Sequence, residues 1–239
     1  MYSHLIKGPV ALFIAACMMT SCAGGKQDNQ LTDEEKKEGW VLLFDGQSMI
    51  GWHLYNNYKS ATWSVKDGEL VCGPDKRLEH GDLVTDKEYK NYDLRWDWKI
   101  NKEGNSGVFI DVQERPDIPA TYASGPEYQM LESSHADNSN PLKRTGCLFN
   151  LTNQMNPARE TKAGEWNESR IVQRDGHIDF YLNGVLTTQA DFRSSAWIDS
   201  IGKTHFATYP EFGKHVSGHI ALQDWFKAVS FKNIRIREL

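Results

Sequence analysis

Cysteine is scarce in this sequence, with four in 239 residues, so a disulfide framework of the kind that staples small secreted domains is excluded. Apolar runs are short as well. The longest, Pro9 to Met19, falls below the roughly 20 residues that a membrane-spanning helix needs. Basic blocks are absent and the formal net charge is −5, which leaves no electrostatic footprint for a phosphate backbone and excludes nucleic acid as a partner. No glycine-rich loop follows a strand and opens a helix, so a nucleotide cofactor is not indicated. A serine nucleophile elbow is missing too. There is no internal repeat, and nothing sets an oligomeric state.

What is present begins with an export signal. Lys7, the apolar run and the small residues after it form a secretory leader, and Thr20-Ser21-Cys22-Ala23-Gly24-Gly25 has the layout of a bacterial lipoprotein processing site. Cys22 is preferred to the rival Cys17, which would leave an apolar core of only six residues, Pro9 to Ile14. The expectation is a signal peptide over 1–22, a small, polar, flexible tether over 23–30, and one domain over 31–239. The protein is then exported and held in the bacterial cell envelope by its lipid alone, at the periplasmic face or the cell surface. Processing removes Lys7 from 27 Lys and Arg against 32 Asp and Glu, for a mature charge of about −6. The mature cysteines, Cys72 and Cys147, are as readily two separate buried thiols as one bridge, because spacing alone cannot bring their Cα atoms within reach.

The domain reads as all-β. Thr32 three residues before Glu35 predicts a capping box and a short helix, with Asp33, Glu34 and Glu35 at its positive end and Gly39 beyond it. Tyr92, Leu94, Trp96, Trp98 and Ile100 alternate with polar residues and predict an antiparallel strand. Asp67-Gly68, Asp175-Gly176 and Asn183-Gly184 predict hairpins over 63–72, 171–182 and 178–189. Val229 and Phe231 lie in one phase, Ile234 and Ile236 in the other, so Lys232-Asn233 reads as a bulge in a terminal strand. Only one helix is convincing, and a jelly-roll sandwich follows. Loops at 73–82, 113–126, 132–145, 153–165 and 190–218 are expected to rim one sheet.

Chemistry concentrates around residues 125–144. Strand alternation puts Glu127, Gln129 and Leu131 on one face and Tyr128, Met130 and Glu132 on the other. On a concave face Glu127 and Gln129 would bind sugar hydroxyls or move protons, since burial raises a carboxyl's pKa; on a solvated face Glu127 is merely an exposed charge. Two-carboxylate glycosidases hold their carboxyls about 5–9.5 Å apart, whereas Glu127 and Glu132 are roughly 16 Å apart along an extended strand. His135, Asp137, Lys143 and Arg144 follow in a loop able to close over the strand. Asn105, before the strand 108–112, is equally suited to a turn, and Arg115 follows that strand. Trp166-Asn167 and Gln223-Asp224-Trp225 pair flat rings with polar groups, which suits a sugar. His215 and His219 are four apart, but Gly218 intervenes in a predicted strand, which speaks against a metal pair. No cofactor is required; a divalent metal stays open.

Leu31-Thr32-Asp33-Glu34-Glu35, Gly39-Trp40-Val41-Leu42-Leu43-Phe44-Asp45-Gly46, Gly51-Trp52, Gly104-Asn105-Ser106-Gly107-Val108-Phe109-Ile110, Glu127-Tyr128-Gln129-Met130-Leu131-Glu132, Gly164-Glu165-Trp166-Asn167, Leu182-Asn183-Gly184, Ile220-Ala221-Leu222-Gln223-Asp224 and the closing Lys232-to-Leu239 segment together resemble the 3-keto-disaccharide hydrolase domain family across 31–239. The resemblance implies a concanavalin-like jelly roll and action on 3-keto-glycosides as a 1,2-lyase or a 3-keto-2-hydroxyglucal hydratase. A C3 ketone acidifies the C2 proton, so one base, one acid and donors for the enolate oxygen suffice. It implies Glu127 or His135 as base and Glu132 or Lys143 as acid or enolate partner, with Asn105, Arg115, Gln129, Trp166, Asn167, Gln223 and Asp224 on the carbohydrate. The family's His-x-Asp is matched by His135-Ala136-Asp137. Where relatives often read Leu-Gln-Asp-His, Trp225 stands here, which leaves room for a changed activity. The alternatives are a non-catalytic carbohydrate-binding lipoprotein and a conventional glycoside hydrolase.

Overall fold

The computed structural model describes residues 27–239 except 58, 60 and 76. Cys17, Cys22 and the signal peptide lie outside the described residues. The chain starts with α1 (Asp33–Lys37), closed by the expected capping box: Thr32 Oγ1 accepts the Glu35 N–H at 3.1 Å and the Glu35 carboxylate accepts the Thr32 N–H at 2.9 Å. Then come β1 (Val41–Leu42), β2 (Trp52–Leu54), β3 (Trp63–Lys66), β4 (Glu69–Cys72), β5 (Leu83–Thr85), β6 (Tyr92–Ile100), β7 (Asn105–Val112) and β8 (Glu127–Leu131). The second half carries β9 (Asn167–Arg174), β10 (His177–Leu182), β11 (Val185–Asp191), α2 (Ser195–Gly202), β12 (His219–Leu222) and β13 (Val229–Glu238).

These strands form two antiparallel sheets. The larger runs β11-β10-β9-β6-β13-β4-β3, with β1 added to β13; the smaller runs β2-β5-β12-β7-β8. Every second residue of β6 enters the space between them, where Trp96 meets Tyr128 of the smaller sheet edge-on at 5.1 Å. Buried polar tips find partners there: the Trp98 indole donates to Ser169 Oγ at 2.8 Å, and the Tyr128 hydroxyl lies 2.8 Å from the same oxygen. The result is an all-β sandwich of the jelly-roll, galectin-like kind with a short N-terminal helix.

The three hairpins fall where Asp-Gly and Asn-Gly put them, because both turn residues adopt positive φ, as at Asp175 (48°) and Gly176 (82°). The terminal strand also bulges as read: Lys232 pairs with Asp97 and Arg235 with Arg95, and Asn233 between them sits at φ 53°. Two expectations change. Asp28 and Asn29, assigned to the tether, are bound to the domain: Asn29 N–H donates to Asn233 Oδ1 at 2.6 Å, Asn233 N–H returns a bond to Asn29 Oδ1 at 2.8 Å, and Asp28 pairs with Lys232 at 2.8 Å. The 190–218 loop contains α2, whose N-cap Ser194 accepts the Trp197 N–H and whose Trp197 is buried against Phe192 at 4.3 Å; one buried side chain in eight residues leaves too little periodicity to read. Cys72 and Cys147 are free and buried, and burial pushes the Cys147 thiol up to about 12.

Candidate active site

The smaller sheet turns Val108, Ile110, Tyr128, Met130 and Leu222 into the core, so the residues between them face outward. Across that outer face the register aligns two rows. Glu127 lies opposite Phe109, Phe109 opposite Ala221, and Ala221 opposite Val84. One step along, Gln129 lies opposite Gly107, the Gln223 N–H donates to Gly107 O at 2.9 Å, and the Asp224 N–H donates to Asp82 Oδ1 at 2.9 Å. Side chains of Gln129, Gln223 and Asp82 therefore share a row, and the gap at Gly107 lies between the first two.

Glu127 fills that gap. A Cβ on residue 107 would come within 2.8 Å of both Cγ and Cδ of Glu127 and overlap its Oε1, so the carboxyl lies across the glycine toward Gln223. Burial holds Glu127 well above the usual carboxylate range, and the neighbouring Asp82 raises it further, against a hydrogen bond with Gln223 that lowers it. Asp82 is itself pushed up to about 6 by burial, although the Thr121 hydroxyl and the Asp224 N–H hold its charged form. Two carboxyls that share a low-dielectric row cannot both ionise cheaply, and burial favours the neutral form of Glu127.

Above the sheet, loops close a cavity of about 390 Å³, a size suited to a small ligand. Its floor carries Asn105, Glu127, Gln129 and Gln223; one side carries Asp137 and Lys143, ion-paired at 3.0 Å; the walls include Tyr122, Phe149, His205, Phe206, Tyr209, Phe212 and Trp225. Phe206 and Phe212 stack at 4.0 Å and stiffen one wall. The Oε1 of Gln223 is buried without a protein partner. Among the described residues, no group of three or more His, Cys, Asp or Glu is placed to hold a metal ion.

Residues 39–237 match the model of the 3-keto-alpha-glucoside-1,2-lyase-like domain. The chain belongs to this family. A 3-keto-disaccharide hydrolase of Bacteroides thetaiotaomicron is 24% identical, with 97% of this chain and 98% of that protein aligned. Two crystal structures of provisionally named glycosyl hydrolases from Parabacteroides distasonis superpose with TM-scores of 0.81 and 0.63, at 33% and 25% identity. The first covers 89% of this chain and 100% of its own, the second 84% and 99%.

Within this 3-keto-glucoside-lyase-like domain the residues singled out from sequence separate into two groups. Asn105, Glu127, Gln129, Lys143 and Gln223 line one cavity, and Asn105 begins a strand rather than a turn. Glu132, one residue past the end of β8, accepts the Glu103 N–H at 2.8 Å and the Ser134 hydroxyl; burial works to raise it, but these bonds and Lys102 hold it below its usual value. His135 caps a 3₁₀ turn by accepting the Asp137 N–H at 3.1 Å, outside the cavity lining. Arg115 pairs with Asp117 at 2.9 Å and approaches Glu211 at 3.7 Å.

Trp166 sits on the other sheet, with Lys99 and Lys232 over its ring at 4.7 and 4.3 Å. Asn167 bonds Glu165 and Asn183 in β9. Asp224 is buried and bonded to Thr62 at 2.7 Å and His80 at 2.8 Å, lining a smaller neighbouring cavity. Trp225 also lines the cavity. Sequence reading missed Asp82 and the rest of the aromatic wall: Asp82 precedes a strand of three residues, too short to show alternation, and Tyr122, His205, Phe206, Tyr209 and Phe212 lie in the long loops at 113–126 and 190–218, where no periodicity marks a side chain.

Proposed function

We propose that the protein cleaves 3-keto-glycosides by elimination and rehydration. What carries the reading is that the Asp137–Lys143 pair and Glu127, whose burial favours its neutral form, line one cavity. In the substrate the reacting atoms lie on three consecutive carbons: the ketone oxygen on C3, the acidic hydrogen on C2 and the glycosidic oxygen on C1. An acceptor and a cation 3.0 Å apart match the adjacent C2 hydrogen and C3 oxygen. Asp137 takes the C2 proton and Lys143 holds the enolate oxygen; the enolate then expels the C1 oxygen, which takes its proton from Glu127. The products are a free alcohol and a 3-keto-2-hydroxyglucal. Glu127, now a carboxylate, draws a proton from water that adds at C1, and Asp137 returns its proton to C2. Asn105, Gln129 and Gln223 hold hydroxyls. Asp137 thus takes the role of base first given to Glu127 or His135, and Glu127 takes that of the acid first given to Glu132 or Lys143.

The deciding experiment follows a 3-keto-glucoside and its unoxidised parent in deuterated water by NMR. Cleavage of the keto sugar alone is expected, with Glu127→Gln retaining C2 exchange but losing cleavage and Asp137→Asn losing both. Cleavage of the parent would make the protein an ordinary glycosidase.

We also propose export and acylation at Cys22, which would place the domain at a cell-envelope membrane. Labelled fatty acid should enter the full chain and not Cys22→Ser; label retained there and lost in Cys17→Ser would move the anchor.

A further inference from the structure

The row of outward residues that begins at Glu127 runs through Phe109, Ala221 and Val84 and ends on β2 at His53. Both nitrogens of that imidazole face carboxylates: Nδ1 lies 2.7 Å from Asp86 and Nε2 2.6 Å from Glu114. A neutral imidazole has a single N–H, so only the imidazolium can donate to both. Burial works against the charged ring, but the bonds to Glu114 and Asp86 outweigh it and hold the pKa above the usual imidazole value. The Asp86 side chain is 60% exposed and that of Glu114 15%, so solvent weakens the first bond far more than the second. The ring of His219 in β12 stands edge-on at 6.1 Å; its Nδ1 donates to Thr85 O at 2.7 Å and its Nε2 lies 3.5 Å from Glu88. Arg115, next to Glu114, is taken up by Asp117 and Glu211.

Glu114 ties this ring to the cavity. Its second carboxylate oxygen accepts the Asn56 N–H at 2.5 Å. Asn56 Nδ2 and the Tyr55 hydroxyl donate to Ile118 O at 3.1 and 3.0 Å, so the segment 113–118 is fastened to the chain just after β2. A few residues on, the same loop supplies the Thr121 hydroxyl that bonds Asp82, and Tyr122 and Gly125 of the cavity lining. Without its second proton, His53 sets a bare ring nitrogen against a carboxylate on one side or the other, and two acceptors repel. We propose that His53 is a positioning residue whose proton clamps the segment 113–118 to β2 and so sets the cavity wall at Tyr122. The clamp stands on its own geometry; only its effect on turnover rests on the lyase reading. Because the folded pKa lies above the unfolded value near 6.5, the clamp is complete below that value and is lost as pH rises through the folded pKa.

The test reads amide hydrogen exchange at Asn56 and Ile118, corrected for the intrinsic rate, at about pH 5.5 and about pH 8.5. In the wild type, protection should fall at least about tenfold at the higher pH, the worth of one charge-assisted hydrogen bond. His53→Gln should show no such fall. Glu114→Gln should reverse it: the amide oxygen accepts the Asn56 N–H while the amide N–H donates to neutral His53, an arrangement that the imidazolium breaks. If His53→Gln does not fold, the reversal in Glu114→Gln decides. Equal wild-type protection at the two pH values, or the same fall in either variant, overturns the clamp. KM for a 3-keto-glucoside should rise as protection is lost; a KM that ignores it overturns the link to the cavity. A wild type that shows the exchange pattern but turns over no keto sugar sinks the lyase reading and leaves the clamp standing.

Discussion

The carboxyl of Glu127 occupies the place where a side chain on Gly107 would stand, one strand away across β7 and β8. Gly107→Ala should therefore displace Glu127 while the β7 backbone stays paired. A shift of about 1 Å at a reacting group can cost about 100-fold, and a loss of at least that size in kcat/KM is expected, with little change in the circular dichroism spectrum. Full activity in a folded Gly107→Ala protein would rule out Glu127 as the proton donor.

Stability should report the proton on Glu127. Its folded pKa lies above the unfolded value near 4.5, so the folded state binds the extra proton, and stability falls as pH rises from that value toward the folded pKa. Glutamine copies the neutral acid without that loss. Glu127→Gln should be more stable than the wild type in urea unfolding at pH 8 and equal to it at pH 4. A wild type that is the more stable at pH 8 would mean that the carboxyl is ionised and paired.

Asp111 gives the same sign at a different place. Burial pushes it up to about 8, against a hydrogen bond from Gln173, and its Oδ2 and the Gln173 Oε1 are buried without partners. A protonated Asp111 has a donor to offer such an acceptor. Wild-type stability should decline between about pH 4 and pH 8 by a few kcal/mol, and Asp111→Asn should flatten that decline. An unchanged slope in the variant would remove Asp111 as its source.

On the opposite sheet the sign reverses. Asp93 is buried between Arg95 and Arg170, with bonds of 2.8 Å from the latter; burial alone would raise it, and the two guanidiniums hold it below its usual value. Its contribution is present at neutral pH and lost as pH falls through the depressed pKa. Asp93→Asn should cost about 3 kcal/mol at pH 7, the lower end for a buried pair because its arginines are partly exposed. The gap between variant and wild type should close in acid; a gap that persists there would point to packing instead.

Local signals carried the fold far. The five alternating residues of β6, the Asp-Gly and Asn-Gly turns and the phase change at Asn233 are each written in adjacent residues, and each element forms there. The short strands β2 and β5 hold three residues apiece, below the length at which alternation can be seen. For the site, alternation in β8 put Glu127 and Gln129 on one face, and they do share it. Glu132 and His135 lie outside the cavity lining, because β8 ends at Leu131 and both are bonded within the local turns, while Asp137 and Lys143 just beyond them do line it. Trp166 and Asn167 have suitable chemistry, but alternation cannot say to which sheet a strand will belong. Asp82 comes beside Glu127, and the wall around Phe206 reaches the cavity, through pairing and packing between segments more than 40 residues apart, which no single stretch records.

The clamp at Asn29 gives the proposed anchor a direction. Asp28 and Asn29 are held by Lys232 and Asn233, and Lys232 pairs across to Asp97 on the outward side of the larger sheet. Seven steps of chain from Cys22 to Asn29 span at most about 25 Å, less than the breadth of a domain whose radius of gyration is about 17 Å. Acylated at Cys22, the sandwich would rest with its larger sheet toward the headgroups. The cavity, which lies on the outer face of the smaller sheet, would then point away from the bilayer, toward sugars arriving in solution.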